Sequence, residues 1–210
     1  GIILGGEKTK TLGDVFSSAA EAVLKIAYLV MQLAPYGVLS LIAWVSGTMG
    51  IAALQNLFVL TVILYAGCLF HMIFVYGGLI RVVAGLPLGK FFKGIIDAQA
   101  VAYSTSSSSA TLPVTLQCVQ KNLGVKKTVA SSVLPLGATI NMDGTALYLG
   151  IVALFSAQIF GVELSFADYF LIAMTATLTS IGTAGIPSAS LFLLATVLSV
   201  IGITDAQTAL

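Results

Sequence analysis

Apolar residues gather in five blocks, and the polar residues are pushed into the stretches between them. The first block runs from about Ala22 to Ser46, interrupted only by Lys25 and, near its middle, by Pro35. The second, Ile51 to Ile80, has no charged residue and is long enough to cross a bilayer with tilt. The third, Ala98 to Gln120, is equally free of charge, yet its centre reads Tyr103-Ser104-Thr105-Ser106-Ser107-Ser108-Ser109-Ala110-Thr111-Leu112-Pro113. The fourth, Thr128 to Gly161, carries Asn141-Met142-Asp143-Gly144-Thr145. The fifth, Tyr169 to Thr204, is broken at Gly182-Thr183-Ala184-Gly185-Ile186-Pro187.

All five predict helix, but blocks three and five do not read as simple spans. Serine, glycine and proline clusters at their midpoints leave arms mostly shorter than the ~20 residues of a full crossing. Irregular backbone at membrane depth survives only when buried in protein or lining an aqueous cavity, which suits a re-entrant hairpin. Charge agrees. Arg81, Lys90 and Lys93 follow block two, and Lys121, Lys126 and Lys127 follow block three. Both basic loops face the cytoplasm only if block three enters and returns. Glu163 and Asp168 then lie outside, and the basic Lys8 and Lys10 inside. The two break motifs, Ser109-Ala110-Thr111-Leu112-Pro113 and Thr183-Ala184-Gly185-Ile186-Pro187, share a pattern. Entering from opposite faces, they predict the halves of an inverted repeat.

Composition sharpens the class. Of 210 residues 58% are hydrophobic and 8% charged, with a mean hydropathy of +1.06. That excludes a water-soluble domain and predicts an all-α integral membrane protein with the lipid bilayer as a partner. No nucleic-acid partner is expected. Cys68 and Cys118 lie in separate apolar segments and read as free, buried thiols.

Asp143 is the only charged residue between Lys127 and Glu163. An ionised side chain at a membrane centre costs about 2.5–3.5 kcal/mol on insertion scales and needs compensation, by a cation or by a protein donor. The bland alternative is a carboxylate in a structural hydrogen-bond network. The Asn141-to-Thr145 run predicts a break in the helix where Asp143 can ligate a cation. Unwinding near Gly137 and Gly144 would free backbone carbonyls, and Asn141 adds a side-chain carbonyl; such oxygens suit sodium. Ser180, Ile181 and Thr183 offer similar oxygens, and Thr145 a hydroxyl for substrate. The serine cluster has three readings: a linker, the nucleophile of an intramembrane hydrolase, or a helix start that meets an anion. The third is preferred, since free N–H groups at a helix start attract anions. No Gly-x-Ser-x-Gly supports the hydrolase. His71 reads as a packed or interfacial histidine and not as a proton relay, because its block holds no carboxylate. Trp44 and Tyr76 read as interface anchors, and Pro35 as a kink.

Ser106 to Pro113, Leu136-Gly137-Ala138-Thr139-Ile140-Asn141-Met142-Asp143-Gly144-Thr145 and Ser180 to Pro187 resemble, in order, the glutamate transporter family of dicarboxylate/amino acid:cation symporters. The resemblance implies a homotrimer in the plasma membrane whose transport domains move past a fixed scaffold, elevator fashion. It implies that residues 1–50 end the scaffold and 51–210 belong to the transport domain. Within the latter it places helix six at 51–84, hairpin one at 88–122, helix seven at 126–160 and hairpin two, the outer gate, at 165–204. Sodium is then the co-transported ion, with no other cofactor and no enzymatic activity.

The same resemblance assigns one sodium site to Gly137 and Asn141 carbonyls, and a deeper one to the Asn141 and Asp143 side chains. A third would use Thr139, Ser180, Ile181 and Thr183 carbonyls near the Met142 sulfur. Substrate would touch Ser106, Ser107, Ser108, Met142 and Thr145, together with Gly185, Ile186, Pro187, Ser188, Ala189 and Ser190. Asn-Met-Asp-Gly-Thr resembles the sodium-coupled amino acid branch. Ser106 replaces an arginine of some prokaryotic members, and Ser190 a usual glycine. The family's last, substrate-selecting helix has no counterpart here, so the chain reads as a fragment of a transporter for L-glutamate or L-aspartate. A neutral amino acid carrier of the same fold, an ion channel and an intramembrane hydrolase are the rivals.

Overall fold

The structure, a computed structural model, describes residues 10–203; Lys8 and the end of the fifth block at Thr204 lie outside them. Every regular element described is helical. They are α1 (Lys10–Met31), α2 (Ala34–Met49), α3 (Ile51–Phe70), a π-helical turn (His71–Tyr76), α4 (Gly77–Val82), α5 (Leu88–Gly94), α6 (Ile96–Thr105), α7 (Ser108–Lys121), α8 (Lys127–Ile140), α9 (Asp143–Ile159), α10 (Phe166–Ile181) and α11 (Ala189–Val200). The chain forms two compact units that divide within α3, between Phe58 and Val59.

In the first unit Pro35 ends one helix and begins another instead of kinking one. It stands in the first turn of α2, where its missing N–H leaves no helical bond unmade.

Two helical runs among the described residues are long and apolar enough to cross a membrane: Ile51–Val82, within which the division between the units falls, and Lys127–Ile159 in the second unit. No residue of α3 is buried, as suits helices whose solvent is lipid. Cys68 is accordingly exposed, not buried as its apolar neighbourhood suggests; Cys118 is buried, and both are free thiols.

The core lies where α9, α10 and α11 pack together. Leu149, Ala153 and Ala157 form one stripe along α9, Ile172 and Ala176 a second along α10, and Val197 and Leu198 complete it from α11. Spacing of four residues puts the α9 set on one face of its helix and the α10 set on one face of the other. The alanines let the backbones approach closely, which is how helices gain packing energy in lipid. Gly161, at φ +65°, ends α9 in the left-handed conformation, and Val162 N donates to Ala157 O at 2.9 Å. Ser165 then opens α10 with a capping box closed by Asp168.

The α6–α7 pair reverses direction at Ser106–Ser107, and its feet are tied where Asn122 Nδ2 donates to Gly94 O at 2.7 Å. The two five-residue motifs do not occupy the same backbone: Pro113 lies inside α7, whereas Pro187 lies in the turn before α11.

Candidate functional site

Three interruptions meet in the second unit. The first is the reversal at Ser106–Ser107. Ser107 is the N-cap of α7, its hydroxyl accepting from Ala110 N, so a serine there satisfies a donor that the helix itself leaves unpaired. The second is the gap at Asn141–Met142, where both residues leave helical geometry before α9 starts at Asp143. The third is the turn from Gly182 to Ser188 between α10 and α11.

The first and third interruptions touch directly. Ser107 Oγ donates to Gly185 O at 2.7 Å, and Ser109 N donates to the same carbonyl at 3.1 Å. A Cβ on Gly185 would lie 2.7 Å from Ser109 Oγ and 3.2 Å from Ser109 N. Only glycine permits this approach. Among the described residues, the two non-glycine residues with left-handed backbone are Ser106 (φ 49°) and Ser188 (φ 61°). They sit one at each tip, in a conformation that persists where surrounding structure enforces it.

Both left-handed serines line a cavity of about 220 Å³, with Ser108, Met142, Thr145, Gly185, Ile186, Ala189 and Ser190. None of the described residues that line it is charged. The first turns of three helices contribute: Ser108 begins α7, Thr145 lies in the first turn of α9, and Ala189 begins α11. A second cavity, of about 610 Å³, is lined by Asn141, Asp143, Ser180 and Ile181 together with His71.

Asp143 is held by two side chains from the π-helical turn. Tyr76 Oη donates to its Oδ2 at 2.7 Å, and His71 Nε2 lies 3.3 Å from the same oxygen. The Tyr76 hydroxyl is thus engaged by a carboxylate, and His71 is more than a packed histidine. Its carboxylate partner comes from another block, 72 positions along the chain.

The sequence profile of the Sodium:dicarboxylate symporter family matches residues 1–210. The chain belongs to that family. It is similar to excitatory amino acid transporter 1 of Ambystoma tigrinum, 42% identical over 209 residues, and to that of Homo sapiens, 41% identical over 208. Human excitatory amino acid transporter 2 is 38% identical over 214 residues. Each alignment covers 97% of this chain, which spans only 38% of the first two relatives and 36% of the third. These relatives are transporters, not enzymes.

Within this symporter-family chain the residues expected at sites divide between the two cavities. Asn141, Asp143, Ser180 and Ile181 share the larger one. Thr183, expected with them, lines the smaller one instead, as does Met142. The unwinding falls at Asn141–Met142, at the start of the Asn141-to-Thr145 run that predicts it and two residues before Gly144. Gly137 lies within α8, its carbonyl accepting from Asn141 N at 3.0 Å, and Gly144 lies in the first turn of α9. Gly137 and Thr139 line neither cavity. The carbonyls of Ala138, Thr139 and Ile140 belong to the last turn of α8, where a helix has no donors of its own left. Of the expected substrate residues, Ser106, Ser108, Thr145, Gly185, Ile186, Ser188, Ala189 and Ser190 line the smaller cavity. Ser107 and Pro187 do not; the Ser107 hydroxyl is turned into the contact between the tips.

The residues that the sequence reading missed are His71 and Tyr76 as partners of Asp143. The only signal in the sequence is that both are polar aromatic side chains in a span free of charged residues, which does not name Asp143 as their partner.

Proposed function

We propose that the chain forms the substrate- and ion-carrying part of a secondary symporter that couples sodium to an acidic amino acid, L-glutamate or L-aspartate. The observation that carries this reading is the convergence of three helix starts on one uncharged cavity lined by hydroxyls. Helix N-termini present unpaired N–H groups and a positive dipole end, which favour an anionic group. At about 220 Å³ the cavity is below the ~300–1,000 Å³ of drug-sized sites, which suits a ligand the size of an amino acid. Across the Asn141–Met142 gap, Asp143 and the last carbonyls of α8 supply hard oxygen donors for sodium, in the way unwound helices do in transporters. The family match and the names of the relatives support the same assignment.

The wider reading follows the family. Residues 51–210 form a transport domain that moves as an elevator against a scaffold ended by residues 1–50, in a plasma-membrane homotrimer. The α6–α7 and α10–α11 pairs are re-entrant hairpins, and the second is the outer gate. Net inward movement of positive charge drives uptake, at about 2.3 kcal/mol per charge per 100 mV.

One observation favours the neutral amino acid reading as the second choice: none of the described residues that line the smaller cavity is basic, so none of them pairs with a second carboxylate. The hydrolase reading has no such support, because the serines line one cavity and His71 another.

The test is uptake of labelled L-aspartate into liposomes by the whole protein carrying this chain, with and without a sodium gradient, with L-alanine as competitor. Sodium-driven uptake that alanine does not block is expected. Block by alanine would move the assignment to neutral substrates, and uptake indifferent to sodium would refute the symporter.

A further inference from the structure

The π-helical turn His71–Tyr76 interrupts an otherwise α-helical run from Ile51 to Val82. In an α-helix, five residues advance a side chain by about 500°, which would leave His71 and Tyr76 some 140° apart. A π-helix bonds residue i to i+5, so residues five apart come nearly one above the other. The defining bond is present: Gly77 N donates to Met72 O. As a result both side chains reach one carboxylate oxygen, Asp143 Oδ2, at 2.7 Å and 3.3 Å. The rings also meet edge to face, with centroids 4.8 Å apart. Such π-turns are rare and concentrate at functional sites.

We propose that Tyr76 and His71 are positioning residues that compete with the transported cation for the charge of Asp143, so that this π-helical turn sets cation affinity. The proposal rests on the sodium-site reading of Asp143. Tyr76, and His71 with its proton on Nε2, both donate to the carboxylate. Hydrogen bonds to a charged acceptor are among the stronger ones, so a cation that draws on that charge must displace or weaken them. The displaced groups have somewhere to go. His71 lines the cavity of about 610 Å³ on one side, and His71 and Tyr76 both line another, of about 420 Å³, on the other. Gln99 lines that second space, its Nε2 3.8 Å from Met72 Sδ, and its amide oxygen is an acceptor suited to a released tyrosine hydroxyl.

The consequence runs against intuition: deleting a hydrogen bond to the site strengthens ion binding. Tyr76→Phe keeps the ring and removes the donor. In the whole protein carrying this chain, reconstituted into liposomes, it should lower the sodium concentration for half-maximal uptake about tenfold. The maximal rate at saturating sodium should stay close to the parent's. His71→Leu should shift sodium dependence in the same direction by less, because its contact is longer. Asp143→Asn, measured alone and with Tyr76→Phe, separates the two layers of the argument. If Asp143→Asn leaves sodium dependence unchanged, the sodium-site reading fails. If Asp143→Asn weakens sodium while Tyr76→Phe has no effect or also weakens it, the competition fails and the site reading stands. Loss of the Tyr76→Phe effect in the Asp143→Asn background is the result that establishes it.

Discussion

Ser107 gives the sharpest handle on the contact between the two tips, because one hydroxyl serves two partners. It accepts from Ala110 N at 3.2 Å, capping α7, and donates to Gly185 O at 2.7 Å. Ser107→Ala removes both. Loss of an N-cap costs about 0.5–2 kcal/mol, and loss of the bond between tips about 1 kcal/mol. Only the second part depends on the tips being together. If closure of the tips retains substrate, Ser107→Ala should weaken substrate binding about fivefold, the equivalent of that 1 kcal/mol. Ser107→Thr keeps the hydroxyl and should bind like the parent. Ser107→Asp keeps the cap but sets a carboxylate against the Gly185 carbonyl, so it should bind more weakly than Ser107→Ala despite an intact helix start. The assay is equilibrium binding of radiolabelled substrate to the detergent-solubilised whole protein, with helicity checked by circular dichroism. Ser107→Ala binding as tightly as the parent would refute the reasoning, as would Ser107→Asp binding better than Ser107→Ala.

Other consequences are as direct. Gly185→Ala sets a Cβ 3.2 Å from the Ser109 backbone nitrogen, which no side-chain rotation can relieve; substrate binding should fall at least as far as in Ser107→Ala. Ala153→Leu overfills a position that is fully buried between α9 and its neighbours and should destabilise by about 1–3 kcal/mol, read as a lower melting temperature in detergent. Asn122→Ala unties the feet of the α6–α7 pair by removing the 2.7 Å bond to Gly94 O. A loss of about 1 kcal/mol in stability is expected, with sodium dependence unchanged.

Local chemistry made much of this legible. Serine at 106–107 and the Gly-Pro run at 182–187 interrupt helices because their side chains favour turns and caps, and both breaks are where those residues predict. The third break is legible in the same way: the Asn141-to-Thr145 run predicts it, and Asn141 and Met142 are the residues that leave the helix, between Gly137 and Gly144. The pairing of Tyr76 and His71 with Asp143 was hidden for a different reason. The partners lie 67 and 72 positions away, and at α-helical pitch the two aromatic residues point apart. Only the π-turn aligns them, and no residue in His71–Tyr76 announces one. Cys68 shows the general limit: an apolar neighbourhood signals burial from water, and in a membrane that is not burial in protein.

The alanine stripes through α9 and α10 reverse a familiar rule of mutational tolerance. In a water-soluble domain the positions least open to change are those holding large side chains, because emptying them leaves holes. Here Ala153, Ala157 and Ala176 are almost wholly enclosed, at 0%, 1% and 2% exposure. Phe166 and Phe192 stand out at 90% and 85%. Where contact between backbones holds helices together, the smallest side chains carry the shape of the molecule. A complete substitution scan should therefore find intolerance at these alanines as sharp as at the buried Leu149 and Val197, and its greatest freedom among exposed bulky residues such as Phe166 and Phe192.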